Sequence, residues 1–413
     1  MNLSYTKKVF PSGLKVVFRR MKSPLVTLNL WARVGVKDEE PVQIGISHFF
    51  EHMVFKGTTN YPGLEISRQV QAIGGNINAG TSLDTTDFYI VVPNNHWEKS
   101  LELIIDLVNN PLFDPIEIER EKKVIIQEIH LDEDDPEEKL AITLYHEVFS
   151  GTPYERSILG SKDTIAHLKR ENFICHQESF YHPSNLTLVV CGDLPENQLF
   201  EKINQFYKNW GKPPQNLLNS FPPLPKVQRK RIEINMDIHH HYGAIGFLGP
   251  GIRQDDFCLL KLLSIILGDG IDSRLNARLR EKEQLVDSIH TNFSYYQESG
   301  IFSIIFTFAN NDPKKIEAII QEECELLLNH PPQDIEINRA KNLLLSGFYH
   351  SIETTSGSAG LLGRLDTIDT IDTVFRYLKN IQNVQTKQII NVLKKYLDFN
   401  FAVSVIINPE GHR

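Results

Sequence analysis

Among 413 residues only four are cysteine, Cys175, Cys191, Cys258 and Cys324, and no two of them stand in a C-x-x-C spacing. That argues against both a disulfide framework and a thiolate zinc site, and buried free thiols are expected. Long apolar runs are missing too. No stretch approaches the roughly 18 residues that a membrane span needs, and the opening segment, Met1 to Phe10, is polar and basic without the apolar centre of a signal peptide. A cytoplasmic chain with no membrane span is the expectation. Positive charge is the scarcer sign, with 43 bases against 52 acids and a net charge of −9, and no basic cluster offsets it. Nucleic acid is therefore not an expected partner. What remains is an ordinary globular composition, 41% hydrophobic and 23% charged, in a chain long enough for two domains.

The stretch with chemistry in it is Gly45 to Thr58, a short apolar helix carrying His48, Glu51 and His52. Two histidines four apart lie one turn over the other, so both rings can reach one metal ion at about 2.0 to 2.1 Å. Glu51 projects beside them, where a carboxylate can act as general base on a water at the metal. The order is H-x-x-E-H, the inversion of H-E-x-x-H. A bland alternative exists, since helical His pairs are often only polar groups satisfied at a core edge. Against it, Phe49, Phe50, Met53, Val54 and Phe55 make the helix nearly apolar and hence buried, where titratable groups are costly unless paired or ligated.

A tetrahedral catalytic zinc needs a third protein ligand. The candidate segment is Asp114 to Ile129, which opens with an Asp cap, Pro115 at the first helical position and Glu117 three residues after the cap. Glu121 and Glu128, seven apart, share one face with Val124 and Ile125 between them. One of the two would be the ligand and the other its support. The alternative is a charged face pairing with Lys122 and Lys123.

Along the rest of the chain, Leu14 to Arg20 and Val26 to Val34 read as strands, the second half-buried by its period-2 alternation. A helix follows near Leu64 to Ala72, then Gly74-Gly75 and a strand pair through Asn78 to Val92. The acidic run Leu131 to Glu138 reads as a solvated cap that ends the Glu128 helix, with Pro136 barring continuation. Leu186 to Cys191 is a continuous apolar strand and Gln198 to Trp210 a helix. Residues 211–228 form a proline-rich linker between domains 1–210 and 229–413. Beyond it, His239-His240-His241 is no metal site, because consecutive strand residues alternate faces.

The second half repeats the first. A shift of 219 residues lays Ile116-Glu117-Ile118-x-Arg120-x-Lys122 on Ile335-Glu336-Ile337-x-Arg339-x-Lys341. The same shift puts Ala340 over Glu121, Gly347 over Glu128 and Leu267 to Ile271 over the histidine motif, so the second copy is expected to be metal-free.

His48-x-x-Glu51-His52, followed by residues 53–127 and then Glu128, resembles the pitrilysin and insulinase family of zinc peptidases, in the branch of the mitochondrial processing peptidase. The resemblance extends through Gly74 to Thr81, Pro111 to Ile129, Ile158 to Gly160, Tyr181 to Asp193, Ser273 to Leu275 and Arg280 to Lys282. It implies Zn2+ held by His48, His52 and Glu128, with Glu51 as base and Glu121 behind a ligand. It implies an α+β fold of two homologous domains, each a mainly antiparallel sheet packed with helices. Peptide substrates would pair with the strand bearing Asn78 and Ala79 and be held by Arg280. A homologous subunit is the implied partner, a heterodimer ahead of a homodimer, closing a chamber around the substrate. One position departs from the family. Active members have a Tyr seven residues after the Arg; here that position is Asp287. The competing function is a non-catalytic scaffold subunit, against which the intact His48, Glu51, His52 and Glu128 speak.

Overall fold

The structure is a computed structural model that describes residues 3–207, 221–224 and 227–410. Most of the expected linker, 211–228, and the last three residues of the helix expected over 198–210 lie outside these; the helix itself runs Glu196–Tyr207. The chain forms two compact units. One takes the chain up to Ile129, a stretch opening at Arg156, and Tyr349–Ile371. The other takes His130–Glu155, Phe221–Phe348 and the chain from Asp372.

The first unit is built on β1 (Thr6–Val9), β2 (Lys15–Arg20), β3 (Leu25–Ala32), β4 (Asn76–Thr81), β5 (Thr86–Pro93) and β6 (Leu186–Gly192), in the order β1-β2-β6-β3-β5-β4. Every pair is antiparallel except β2 with β6. The second unit holds β7 (Lys230–Met236), β8 (His241–Pro250), β9 (Ser288–Tyr295), β10 (Ser299–Phe308) and β11 (Val403–Pro409), in the order β7-β11-β8-β10-β9. Again one pair, β7 with β11, is parallel. The two orders correspond strand for strand once β1 is set aside, which is the α+β duplication expected from the repeat. Among the described residues no helix is long and apolar enough to cross a membrane.

Each unit includes a helix from the other half of the chain. Pro136–Val148 packs on β8 and β11 in the second unit, while Thr355–Ile368 packs on β3 and β6 in the first. The 219-residue shift carries Pro136 onto Thr355, so the exchange is reciprocal. This explains why β3 is not half-buried, as its alternation suggested, but buried at every position after Leu25. One face meets the core and the other is covered by Thr355–Ile368, where Thr27 donates a hydrogen bond to Thr355 at 2.9 Å.

Three further expectations change. The acidic run does not cap its helix, which continues to Asp134; Asp135 then caps a new helix, accepting from the N–H of Glu137 at 2.8 Å, with Pro136 at its first position. The helix placed like the histidine helix in the second unit is Asp256–Gly268, not 267–271, because the loops before it differ in length and the offset of 219 does not hold there. Cys191, Cys258 and Cys324 are buried free thiols, but Cys175 is exposed, turned outward between buried Phe173 and His176 on the Arg170–Phe180 helix.

Candidate metal centre

The motif helix, Ile46–Val54, is held by its apolar face: Phe49, Phe50, Met53 and Val54 are fully buried. Phe50 stacks on Tyr181 with ring centroids 4.2 Å apart, and Phe49 meets Phe173 edge-on at 4.8 Å. Those contacts fix the rotation of the helix and leave His48, Glu51 and His52 on its half-buried side. The rings of His48 and His52 lie one over the other, 4.5 Å between centroids. Glu128 comes from the helix Pro115–Asp134, its Oε2 3.8 Å from Nε2 of His52. Ligating atoms of His48, His52 and Glu128 all lie within 4.8 Å of one another, the only such group among the described residues.

Nδ1 of His48 and Oε2 of Glu128 are buried with no hydrogen-bond partner among the described residues. Buried polar atoms left unpaired are costly, and orphaned atoms on two members of one cluster suit a cation held there. Two imidazoles and a carboxylate are a zinc donor set. The residues present therefore fit the metal.

Glu121 stands behind this group. Its Oε1 accepts from Nδ1 of His52 at 2.8 Å and its Oε2 is paired with Nζ of Lys56 at 2.6 Å. Burial pushes the Glu121 carboxyl upward, but the hydrogen bonds from His52 and Lys56 outweigh it and hold the group below the usual carboxylate range. For His52, burial acts downward and is overcome by the Glu121 hydrogen bond and the charges of Glu128 and Glu121, so its imidazole is raised. His48 goes the other way, to about 4, through burial and then the neighbouring charge of His52, with Glu121 opposing. Burial raises Glu51 above the ordinary carboxylate value, against a hydrogen bond from Thr81, whose hydroxyl donates to Oε2 at 2.6 Å. Glu121, Glu128 and both aliphatics share the face expected of them; Ile125 lies on its buried side, and Val124, 44% exposed, on its outer edge.

Asn78 and Ala79 lie on β4, the edge strand of the first sheet, opposite Tyr89 and Phe88 of β5. Arg280 belongs to the second unit, in the turn of helix Asn276–Lys282, exposed beside Glu281. Asp287 precedes β9 with its carboxylate exposed, 3.8 Å from Nδ1 of His240. His241 instead stacks on Phe308 and pairs with Asn408 at 3.0 Å. Sequence reasoning missed four residues around the cluster: Lys56, Thr81, Glu39 and Asp87. Lys56 was findable, being one helical turn after His52. Asp87, on β5, is pushed up to about 7 by burial, opposed by a hydrogen bond from Asn29 and reinforced by the charge of Glu51.

Comparison with known proteins agrees with this geometry. Residues 15–162 match the model described as insulinase (peptidase family M16), and residues 167–344 match the peptidase M16 inactive domain. A protein of Rickettsia felis named "Uncharacterized zinc protease" is 31% identical over 324 residues, 78% of this chain and 77% of that one. The Bacillus subtilis "Uncharacterized zinc protease YmxG" is 26% identical, covering 80% of each. In fold, the chain is similar to a protease from Helicobacter pylori, with a TM-score of 0.93 at 22% identity over 98% of this chain and 99% of the other. It is also similar to the peptidase M16 inactive domain from Pseudomonas fluorescens, with a TM-score of 0.90 at 18% identity over 100% and 99%. The matched span 15–162 takes in the motif helix, Glu121 and Glu128 together, and with the Rickettsia relative at 31% identity the chain belongs to the insulinase family, peptidase family M16.

Proposed function

We propose that this protein is a zinc metalloendopeptidase that cleaves extended peptides in a chamber completed by a second, homologous chain. The observation that carries the reading is the convergence of His48, His52 and Glu128, two of which hold buried polar atoms without a hydrogen-bond partner among the described residues. These three would hold the metal, which when bound supplies a Lewis acid for the scissile carbonyl and makes a water acidic enough to attack near neutral pH. Glu51 takes the proton of the attacking water and returns it to the leaving amine, and its raised pKa suits both steps. Thr81 donates a hydrogen bond to Oε2 of Glu51 and steadies the carboxylate beside the cluster. Glu121 keeps the Nδ1 proton on His52 and so presents Nε2 to the cluster.

As an edge strand, β4 has one side unpaired in the sheet, and the stretch at Asn78 and Ala79, where the N–H of Ala79 donates to Oδ1 of Asn78 at 2.9 Å, offers that edge to a substrate backbone, an arrangement that binds many sequences. In the second half the helix Asp256–Gly268 carries no histidine, and that half matches a domain described as inactive; both support a metal-free second domain. Asp287 in place of the family's Tyr supports a partner chain, a heterodimer ahead of a homodimer.

Metal analysis and peptide cleavage by the purified protein test the reading. About one zinc per chain is expected, and Glu51→Gln should keep the zinc and lose cleavage. Less than about a tenth of an equivalent after zinc reconstitution, or unchanged zinc in His48→Ala and Glu128→Ala, overturns it.

A further inference from the structure

Glu39 has no part in the chemistry above, yet it is 4% exposed. Its Oε2 accepts from the N–H of Gly45 at 2.7 Å and its Oε1 from the N–H of Ser47 at 2.8 Å. These amides open the motif helix, where backbone donors have no acceptor within the helix, and a carboxylate there also meets the positive end of the helix dipole. The helix cannot cap itself with a side chain. Gly45 occupies the cap position at φ +95°, and a Cβ there would lie 2.7 Å from the carbonyl oxygen of Leu159 and 2.9 Å from Cα of Gly160. No Ser, Thr or Asp fits, so the role passes to a side chain six residues upstream. Glu39 is itself anchored, because Nη1 of Arg156 donates to its backbone carbonyl at 2.5 Å.

We propose that Glu39 is a positioning residue of the metal centre, a buried two-oxygen clamp on the start of the motif helix that sets the direction in which His48 points. The inference rests on the reading that His48, His52 and Glu128 hold zinc. His48 directly follows the clamped amide of Ser47. His52, a turn later, has its own anchor in Glu121. Releasing the clamp therefore loosens the first turn and His48 with it, while His52 stays in place, so the three donors lose their mutual alignment rather than the helix its fold.

The test compares the whole protein with Glu39→Gln and Glu39→Asp, by zinc competition against a chelator and by the visible spectrum after cobalt substitution. The amide of the Gln variant turns its N–H2 toward one of the two backbone N–H groups and loses that bond. Its zinc affinity should fall roughly ten- to hundredfold, with a shifted cobalt spectrum, and Glu39→Asp should fall between it and wild type. A clamp that is merely structural lowers the melting temperature of the zinc-free protein but leaves the spectrum and zinc affinity of the folded fraction at wild-type values, and that result overturns the proposal. Should Glu39→Gln fail to fold, Arg156→Gln, which frees the backbone of Glu39 but keeps its carboxylate, must weaken zinc by at least about threefold; unchanged affinity overturns the proposal equally. Wild type that binds no zinc in the same titration removes the zinc reading itself and the clamp with it.

Discussion

Nδ1 of His52 lies 2.8 Å from Oε1 of Glu121, and the other oxygen of that carboxylate is taken by Lys56. The three groups form a chain from the surface to the cluster: Lys56 keeps Glu121 anionic, and Glu121 keeps the proton of His52 on Nδ1. Glu121→Gln should weaken zinc binding about ten- to a hundredfold and Lys56→Met by about tenfold. In the double variant the losses should not add, because both act through the same ring. Chelator competition measures all three. Additive losses would show that Lys56 acts on the site by another route.

On the proposed mechanism, Thr81 acts on the base and not on the metal. Its hydroxyl donates to Oε2 of Glu51 at 2.6 Å from the end of β4. Thr81→Val should lower kcat by about tenfold with zinc content unchanged, and Thr81→Ser should recover most of the loss, since it keeps the donor. A fall in zinc content in the Val variant, or no difference between Val and Ser, contradicts this role.

Much of this site is legible in the sequence because its spacing is local. His48 and His52 are four apart on one helix, and a helix fixes which residues share a face. Glu128 needed the family resemblance, since nothing within the helix Pro115–Asp134 says which carboxylate reaches the histidines and which supports them. The structure separates them: Glu121 meets Nδ1 of His52 and Glu128 lies nearest its Nε2. The fold class was legible from the repeat and the resemblance, but the exchange of helices between the two units was not. Burial of β3 on its second face comes from Thr355–Ile368, more than 300 residues away in sequence, and a period-2 pattern carries no information about such a partner. Glu39 was invisible for a similar reason. Its part depends on Gly45 having no side chain and no room for one, which is a property of the loop at Leu159 and Gly160 rather than of the motif.

The helix exchanged into the first unit also sets a stability prediction. Gly363 packs against Trp31, and a Cβ added there would stand 2.0 Å from Nε1 and 2.3 Å from Cδ1 of an indole that is only 7% exposed. The ring has little room to retreat, so Gly363→Ala should destabilise the protein by about 1 to 3 kcal/mol despite alanine's better helix propensity. Urea unfolding checks it. A stabilised variant would mean that the helix shifts off β3 without loss.

Acid should destabilise the protein through His176. This ring is buried among Phe50, Phe180 and Tyr181, with its Nε2 unpartnered among the described residues. Burial pulls its pKa down from 6.5 to about 3. Between those values the unfolded chain binds a proton that the folded one does not, so stability falls as pH drops below 6.5, by up to about 1.4 kcal/mol for each pH unit. His176→Phe removes the titrating group and keeps an aromatic ring. Its melting temperature should therefore fall less than that of wild type between pH 7 and pH 4.5, with zinc held constant. Equal falls would place the acid sensitivity elsewhere.

The family's active members carry an Arg with a Tyr seven residues later, a pair that holds and polarises the substrate. This chain keeps Arg280 and has Asp287 where the Tyr would be. A carboxylate cannot replace the phenol. At neutral pH it has no proton to donate to a developing oxyanion, and its charge opposes the charge that forms in the transition state. His290 and Tyr295, on the strand that follows, are the other groups of suitable chemistry; they lie on β9, where His290 is opposite Ile305 and Tyr295 opposite Gly300. If neither takes the role, the donor has to come from another chain that keeps the Tyr. The zinc-loaded chain alone should then cleave peptides at least about a hundredfold more slowly than its complex with such a homologue, the usual loss for one missing oxyanion donor. Asp287→Tyr should raise the activity of the lone chain, while His290→Ala and Tyr295→Phe leave it unchanged. Full activity from the unmodified chain alone would refute the need for a partner, and a large loss in the Tyr295→Phe variant would assign the donor to this chain after all.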